Sequence, residues 1–187
     1  YKLQKHYPFN TASKPLNAAY DVPKDKHEQV KKINKLILDE ISNKDNFIII
    51  GQYAYNYYLQ ESGILKDSSH NKIYKLIPIP FMQLISTNYI LDTINLIKYL
   101  KSKIDKITFR EFYPLWQFTG YSTVVYYNDT PILHITSHNK KCMPVNKLKL
   151  DSKNYVQVGS FDVTLLFNLI SLLRVRTNEI EDRIHYH

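Results

Sequence analysis

The order of the predicted elements indicates an α+β domain with a mixed sheet flanked by helices. Helical and strand-like segments alternate between about residue 26 and residue 102. Several short segments rich in aromatic and β-branched residues follow, and a final helix closes the pattern. With 187 residues, 44% of them hydrophobic, the chain can build the core of one folded domain.

Four apolar residues at helical spacing predict the first helix, over residues 26–42. Asp25 precedes it and is the type of residue that caps a helix N-terminus. Residues 1–25 contain three prolines and little periodicity, so we expect an extended arm or linker there and the domain itself over residues 26–187. The four apolar residues are Val30, Ile33, Ile37 and Ile41.

A strand, a glycine turn and a second helix form the most distinctive pattern of the chain. Residues 47–50 (Phe-Ile-Ile-Ile) predict a buried strand, and residues 52–60 predict the helix. We expect Gly51 to be a structural turn residue, with a positive φ or a close backbone neighbour. No second glycine follows nearby and the chain has no Gly-Lys-Ser/Thr, which excludes a phosphate-binding P-loop.

The second half of the chain predicts one helix, a series of strands and a last helix. A strand at residues 81–86 leads into a helix at residues 88–102, and Asn128-Asp129 is typical of a hairpin turn. Ser160 is expected to cap the last helix. The further predicted strands are residues 105–112, 116–118, 122–127, 131–137 and 155–158.

Apolar spacing predicts which side chains of these later elements face the core. In the helix at 88–102 they are Leu91, Ile94, Ile97 and Tyr99; in the last helix they are Val163, Leu166, Phe167, Ile170 and Leu173. The strand at 131–137 is expected to alternate, with Ile132, His134 and Thr136 on one face and Leu133 and Ile135 on the other.

A net charge of +8 and a pI near 9.3 favour a polyanionic partner, nucleic acid before an acidic membrane surface. The other interpretation is that spread-out lysines only solvate the surface. The residues that we expect to contact RNA, weakly and with strong salt dependence, are Lys31, Lys32 and Lys35 on the first helix and Lys140 and Lys141 after the hairpin strand. Further lysines interleaved with Tyr and Asn are Lys98, Lys101, Lys103, Lys106, Lys147 and Lys149.

Several classes of site find no support in the sequence. The single cysteine, Cys142, excludes an internal disulfide and suits a reducing compartment. His134 and His138 would lie about 13 Å apart on one strand, too far to share a metal. The chain has no run of about 18 apolar residues, so we expect no membrane partner.

The strand, glycine turn and helix at residues 47–60 resemble the opening of nucleotidyltransferases of the polymerase-β type. Those enzymes next need a strand with two acidic residues one position apart, which places both carboxylates on one face to hold two Mg²⁺ ions. Residues 81–87 (Phe-Met-Gln-Leu-Ile-Ser-Thr) contain no Asp or Glu. The sequence therefore predicts a nucleotidyltransferase-like fold with a degenerate active site.

Five segments resemble the C-terminal half of the poly(A) polymerase catalytic subunits of large DNA viruses: giant viruses, African swine fever virus and, more distantly, poxviruses. The segments are residues 6–10 (His-Tyr-Pro-Phe-Asn), 50–57 (Ile-Gly-Gln-Tyr-Ala-Tyr-Asn-Tyr), 83–86 (Gln-Leu-Ile-Ser), 131–133 (Pro-Ile-Leu) and 159–166 (Gly-Ser-Phe-Asp-Val-Thr-Leu-Leu).

The resemblance implies a role in mRNA 3′ polyadenylation by a chain of which this is one fragment. Full-length members are polynucleotide adenylyltransferases; for this segment it implies no catalytic residue, no metal and no cofactor, with ATP and Mg²⁺ or Mn²⁺ belonging to the catalytic half. The implied partners are RNA, the catalytic half of the same chain, and a second copy in a homodimer or a partner subunit. The implied compartment is the host cytoplasm or the virion. The alternatives are an autonomous RNA- or DNA-binding module and a structural or dimerisation domain.

Overall fold

A computed structural model describes residues 27–63, 76, 79–114, 120–138 and 143–173. Asp25, Cys142 and the predicted strand at 116–118 lie outside these residues. The helices are α1 (His27–Ile41), α2 (Gly51–Glu61), α3 (Tyr89–Lys103) and α4 (Phe161–Leu173). The strands are β1 (Phe47–Ile50), β2 (Met82–Ser86), β3 (Ile107–Phe112), β4 (Ser122–Tyr127), β5 (Thr130–Ser137), β6 (Val145–Lys149) and β7 (Tyr155–Gly159).

The seven strands form one mixed sheet in the order β3-β4-β5-β2-β1-β7-β6. Strand β1 is antiparallel to β2 and parallel to β7, and β2 is parallel to β5. The α+β class with a mixed sheet and flanking helices is thereby confirmed. The Asn128-Asp129 hairpin turn is confirmed as well, since both residues have a positive φ and join the antiparallel strands β4 and β5.

Helices cover both faces of the sheet. On one face, α1, α2 and α3 pack over a large core that includes Ile37, Ile49, Leu84 and Leu96. The neighbouring β1 residues Ile48 and Ile50 point the other way, because side chains alternate along a strand. There they join the core formed with helix α4.

The predicted core face of α3 is confirmed for Ile97 and Tyr99 and wrong for Leu91 and Ile94. Leu91 and Ile94 are 54% and 45% exposed, whereas Asp92, Leu96 and Leu100 are buried. The Asp92 carboxylate accepts hydrogen bonds from the Ser86 hydroxyl and the Asn46 amide, which turns that side of the helix inward. A buried carboxylate needs such partners, so this network outweighs the apolar spacing.

Three further features of the structure differ from the predictions. Leu166 of α4 is 54% exposed rather than buried, although Val163 and Phe167 face the core as predicted. Ile132 packs in the same core cluster as Leu133 and Ile135, and a register shift interrupts the β4–β5 pairing between Val125 and Tyr126. Strand β6 was missed because its sequence, Val-Asn-Lys-Leu-Lys, shows only weak strand character.

Candidate functional site

Gly51 begins α2 directly at the end of β1 and has a φ of +68°. A Cβ atom on Gly51 would lie 1.8 Å from the Gln83 Oε1 atom and 3.2 Å from the Gln83 Cβ atom. Positive φ is unfavourable for residues with a Cβ. The strand-to-helix turn therefore combines a left-handed backbone with a close approach to strand β2.

Strands β1, β2 and β5 place Ile50, Gln83 and His134 side by side in the sheet. Ile50 is opposite Gln83 in the β1–β2 pair, and Gln83 is opposite His134 in the β2–β5 pair. Alternation puts Ile85 on the same face as Gln83. Gln83 and Ile85 thus fill two positions, one residue apart, where an acidic pair would share one face of β2.

These residues do not fit a two-metal site. Two-metal phosphoryl transfer needs anionic oxygen ligands, whereas Gln83 offers a neutral amide and Ile85 no ligand atom. Within the described ranges, no group of three or more His, Cys, Asp or Glu residues is placed to hold a metal ion.

Helix α4 covers this part of the sheet. Ile85 is fully buried and packs in one cluster with Ile48, Ile50, Val163 and Phe167. Two structural features bring α4 close. The first is Gly159, whose missing side chain leaves room for Ile50 and Val163: a Cβ there would lie 3.2 Å from the Ile50 Cγ2 atom and 3.1 Å from the Val163 Cγ1 atom. The second is Ser160, whose hydroxyl accepts a hydrogen bond from the Val163 backbone N–H at 3.4 Å. Apolar side chains therefore occupy the space in front of Ile85.

The lysines predicted to contact RNA are only partly within the described residues. Lys31, Lys32 and Lys35 are exposed on α1, and the Lys31 Nζ atom lies 2.9 Å from the Glu28 carboxylate. Lys140 and Lys141 lie outside the described residues. The exposed α1 lysines sit on the side of the helix away from Val30 and Ile33, which are buried.

Helices α1 and α3 contact each other, and the turns at their ends imply that they run in opposite directions. The α1–β1 turn meets the β2–α3 turn, where the Thr87 N–H donates to the Asn46 carbonyl at 3.1 Å. Since the end of α1 and the start of α3 share one end of the sheet, the start of α1 and the end of α3 share the other. This second end is called the basic end; its lysines are Lys31, Lys32, Lys35, Lys98, Lys101, Lys103 and Lys106.

Charge is unevenly divided along this helix pair. At the opposite end lie Asp39, Glu40 and the buried Asp92, with Lys44 paired to Glu40. At the basic end of this helix pair, the seven lysines of α1, α3 and the turn after α3 are accompanied by the carboxylates of Glu28 and Asp105. The α3 lysines were visible in the sequence only as diffuse charge, because their proximity to α1 depends on the helix pairing.

The tyrosines of α2 belong mainly to the core. Tyr53 and Tyr57 pack against the large core cluster, and burial raises the pKa of the Tyr53 hydroxyl. The Tyr58 hydroxyl donates to the Gly159 carbonyl at 2.7 Å and ties α2 to the end of β7. Among the described residues, no helix is long and apolar enough to cross a membrane.

Comparisons with known proteins agree on one family. Residues 24–179 match a family profile described as "APMV, Putative poly(A) polymerase, catalytic subunit, C-terminal". A protein of Acanthamoeba polyphaga mimivirus described as "Putative poly(A) polymerase catalytic subunit" is 31% identical over 156 residues, which are 77% of this chain. The crystal structure of the Megavirus polyadenylate synthase matches with a TM-score of 0.61 and 28% identity over 90% of this chain.

The chain corresponds to a minority of each of these relatives. It spans 26% of the mimivirus protein and 32% of the Megavirus chain. The structural match also agrees with the mixed, helix-flanked sheet described above.

Proposed function

Because the chain belongs to the family of C-terminal domains of giant-virus poly(A) polymerase catalytic subunits, we propose that it supports mRNA 3′ polyadenylation without performing the transfer itself. Its role is to scaffold the catalytic half of the polymerase and to add RNA-binding surface. The observation that carries this proposal is that Gln83 and Ile85 occupy the positions of a carboxylate pair, with apolar side chains of α4 packed in one cluster with Ile85.

The proposed division of labour follows from the chemistry. Transfer of AMP to an RNA 3′ end uses ATP and divalent metal ions, which need carboxylates that β2 lacks. ATP and Mg²⁺ or Mn²⁺ are therefore assigned to the catalytic half, whose packing against this domain, or against a second copy, is the scaffolding role. Host cytoplasm or virion is the compartment in which such a viral enzyme would act.

The RNA-binding part of the proposal rests on the basic end. Lys31, Lys32 and Lys35 are exposed on one helix and share the basic end with the lysines of α3. Exposed lysines neutralise phosphates and release counterions, so affinity depends steeply on salt. Lys140 and Lys141 remain proposed contacts on the ground of their charge and position after β5.

The test measures binding of a fluorescently labelled oligoadenylate RNA to the whole chain by anisotropy, between about 50 and 200 mM salt. K31E/K35E should weaken binding and flatten the salt dependence; K149E/K153E, with the same charge change at the opposite end of the sheet, should have a smaller effect. The same preparation should add no AMP to the RNA from ATP with Mg²⁺ or Mn²⁺.

Two outcomes would contradict the proposal. Absence of binding at low salt would favour a purely structural domain, with lysines that only solvate its surface. Template-independent adenylation that disappears when one aspartate is changed would show an active site in this segment.

A further inference from the structure

We propose that the turn between α3 and β3, centred on Lys106, binds the phosphates of single-stranded RNA. This inference rests on the proposed function, since it assigns part of the RNA surface to particular residues. It goes beyond the α1 lysines because it depends on a backbone conformation and on an aromatic neighbour, neither of which is visible in the sequence.

Lys106 has an unusual backbone conformation for its residue type. Its φ is +61°, in the left-handed region. The other described non-glycine residues with positive φ are Asn43, Asn128 and Asp129, whose short polar side chains tolerate this region. A glycine or asparagine would fit the Lys106 position with less strain, so the conformation gives no structural reason for a lysine.

The helix end explains other lysines but not this one. Lys101 and Lys103 lie in the last turn of α3, where positive charge is favourable beside the free carbonyl groups. The helix then closes with the Ile104 N–H donating to the Leu100 carbonyl at 2.8 Å. Lys106 lies beyond this closure and is exposed, so its ammonium group is available to an external anion.

An exposed aromatic ring lies on the next strand. Phe109 of β3 is 46% exposed, and the Lys101 Nζ atom lies 5.4 Å from the centre of its ring. Strand β3 is the edge of the sheet, so a ligand can approach it from the side. Lysines that neutralise phosphates next to a ring on which a base can stack are the usual elements of a single-strand site.

The nearby acidic groups limit the charge of the site but do not cancel it. Asp105 precedes Lys106, and Asp129 lies in the β4–β5 turn at the same end of the sheet. Against these two carboxylates stand Lys101, Lys103 and Lys106, with Lys98 one turn earlier on α3. An anionic membrane surface would also attract these lysines. The proposed RNA-binding role of the basic end favours a single strand, and vesicle binding tests the membrane separately.

The test separates stability from binding by changing Lys106 in three ways. K106G removes the charge and relieves the backbone, so it should preserve or raise the melting temperature while lowering RNA affinity about two- to five-fold and the salt slope by about one. K106Q should lower RNA affinity as much as K106G does, without the gain in stability. K106R keeps the positive charge and should bind RNA like the unmodified chain. K153Q, at the β6–β7 turn, is the matched control and should bind like the unmodified chain.

The outcomes distinguish this inference from the proposed function. If the unmodified chain does not bind RNA, the proposed function itself fails. If the unmodified chain binds RNA, and K106G and K106Q bind it as tightly as the unmodified chain does, the basic surface lies elsewhere and only this site is wrong. Vesicles with and without phosphatidylserine serve as the second probe: loss of vesicle binding by K106Q with unchanged RNA affinity would assign the turn to a membrane surface and overturn the proposal.

Discussion

Replacing Gly51 by alanine tests whether the strand-to-helix turn depends on a glycine. The added Cβ would lie 1.8 Å from the Gln83 Oε1 atom and 2.6 Å from the Gln83 Cδ atom. Gln83 is only 8% exposed and cannot swing freely into solvent. We expect about 1–2 kcal/mol from the positive φ and about 1–3 kcal/mol from overpacking, in total a loss of roughly 2–5 kcal/mol in the free energy of unfolding.

Gly63 provides the matched control within the same chain. Its φ is +74°, but a Cβ there would meet no atom within 4 Å. Gly63→Ala should therefore show only the backbone cost, about 1–2 kcal/mol. Urea denaturation of both variants measures the difference, which is the packing contribution at Gly51.

A double-mutant cycle identifies the contact. In a Gln83→Ala background, Gly51→Ala should cost no more than Gly63→Ala, because the clashing amide is gone. Equal losses for Gly51→Ala and Gly63→Ala in the unmodified chain, or no recovery in the Gln83→Ala background, would refute the close packing of this turn.

Two further predictions concern buried polar groups. Asp92→Ala should destabilise the chain by roughly 2–3 kcal/mol in urea denaturation, because it leaves the Ser86 hydroxyl and the Asn46 amide without their shared acceptor; a loss below about 0.5 kcal/mol would contradict this role. Burial raises the pKa of the Tyr89 hydroxyl above its usual value of 10, so the unfolded chain loses this proton first and stability should fall as the pH rises above about 10. Tyr89→Phe should lessen that fall, whereas Tyr121→Phe, at a ring 52% exposed, should not; equal pH profiles for the two variants would refute the assignment.

Local sequence patterns were sufficient for several elements. Strand β1 has the predicted bounds, and α1 buries Val30, Ile33, Ile37 and Ile41 as their spacing predicts. The Asn128-Asp129 turn follows from residue types that accept a positive φ. In each case the information lies within a few neighbouring residues, because burial periodicity and turn chemistry are local properties.

The candidate site depended much more on tertiary structure. The absence of an acidic pair on β2 is visible in the sequence, but the filling of that face by α4 is not. Nor could spacing show that Asp92, rather than Leu91, turns inward, since its partners Ser86 and Asn46 lie on other elements. The lysines of α1 and α3 are more than sixty positions apart and share one end of the sheet only because the two helices run in opposite directions. A periodic pattern reports which side of one element is apolar, whereas the rotation and pairing of elements are decided by contacts between residues distant in the chain.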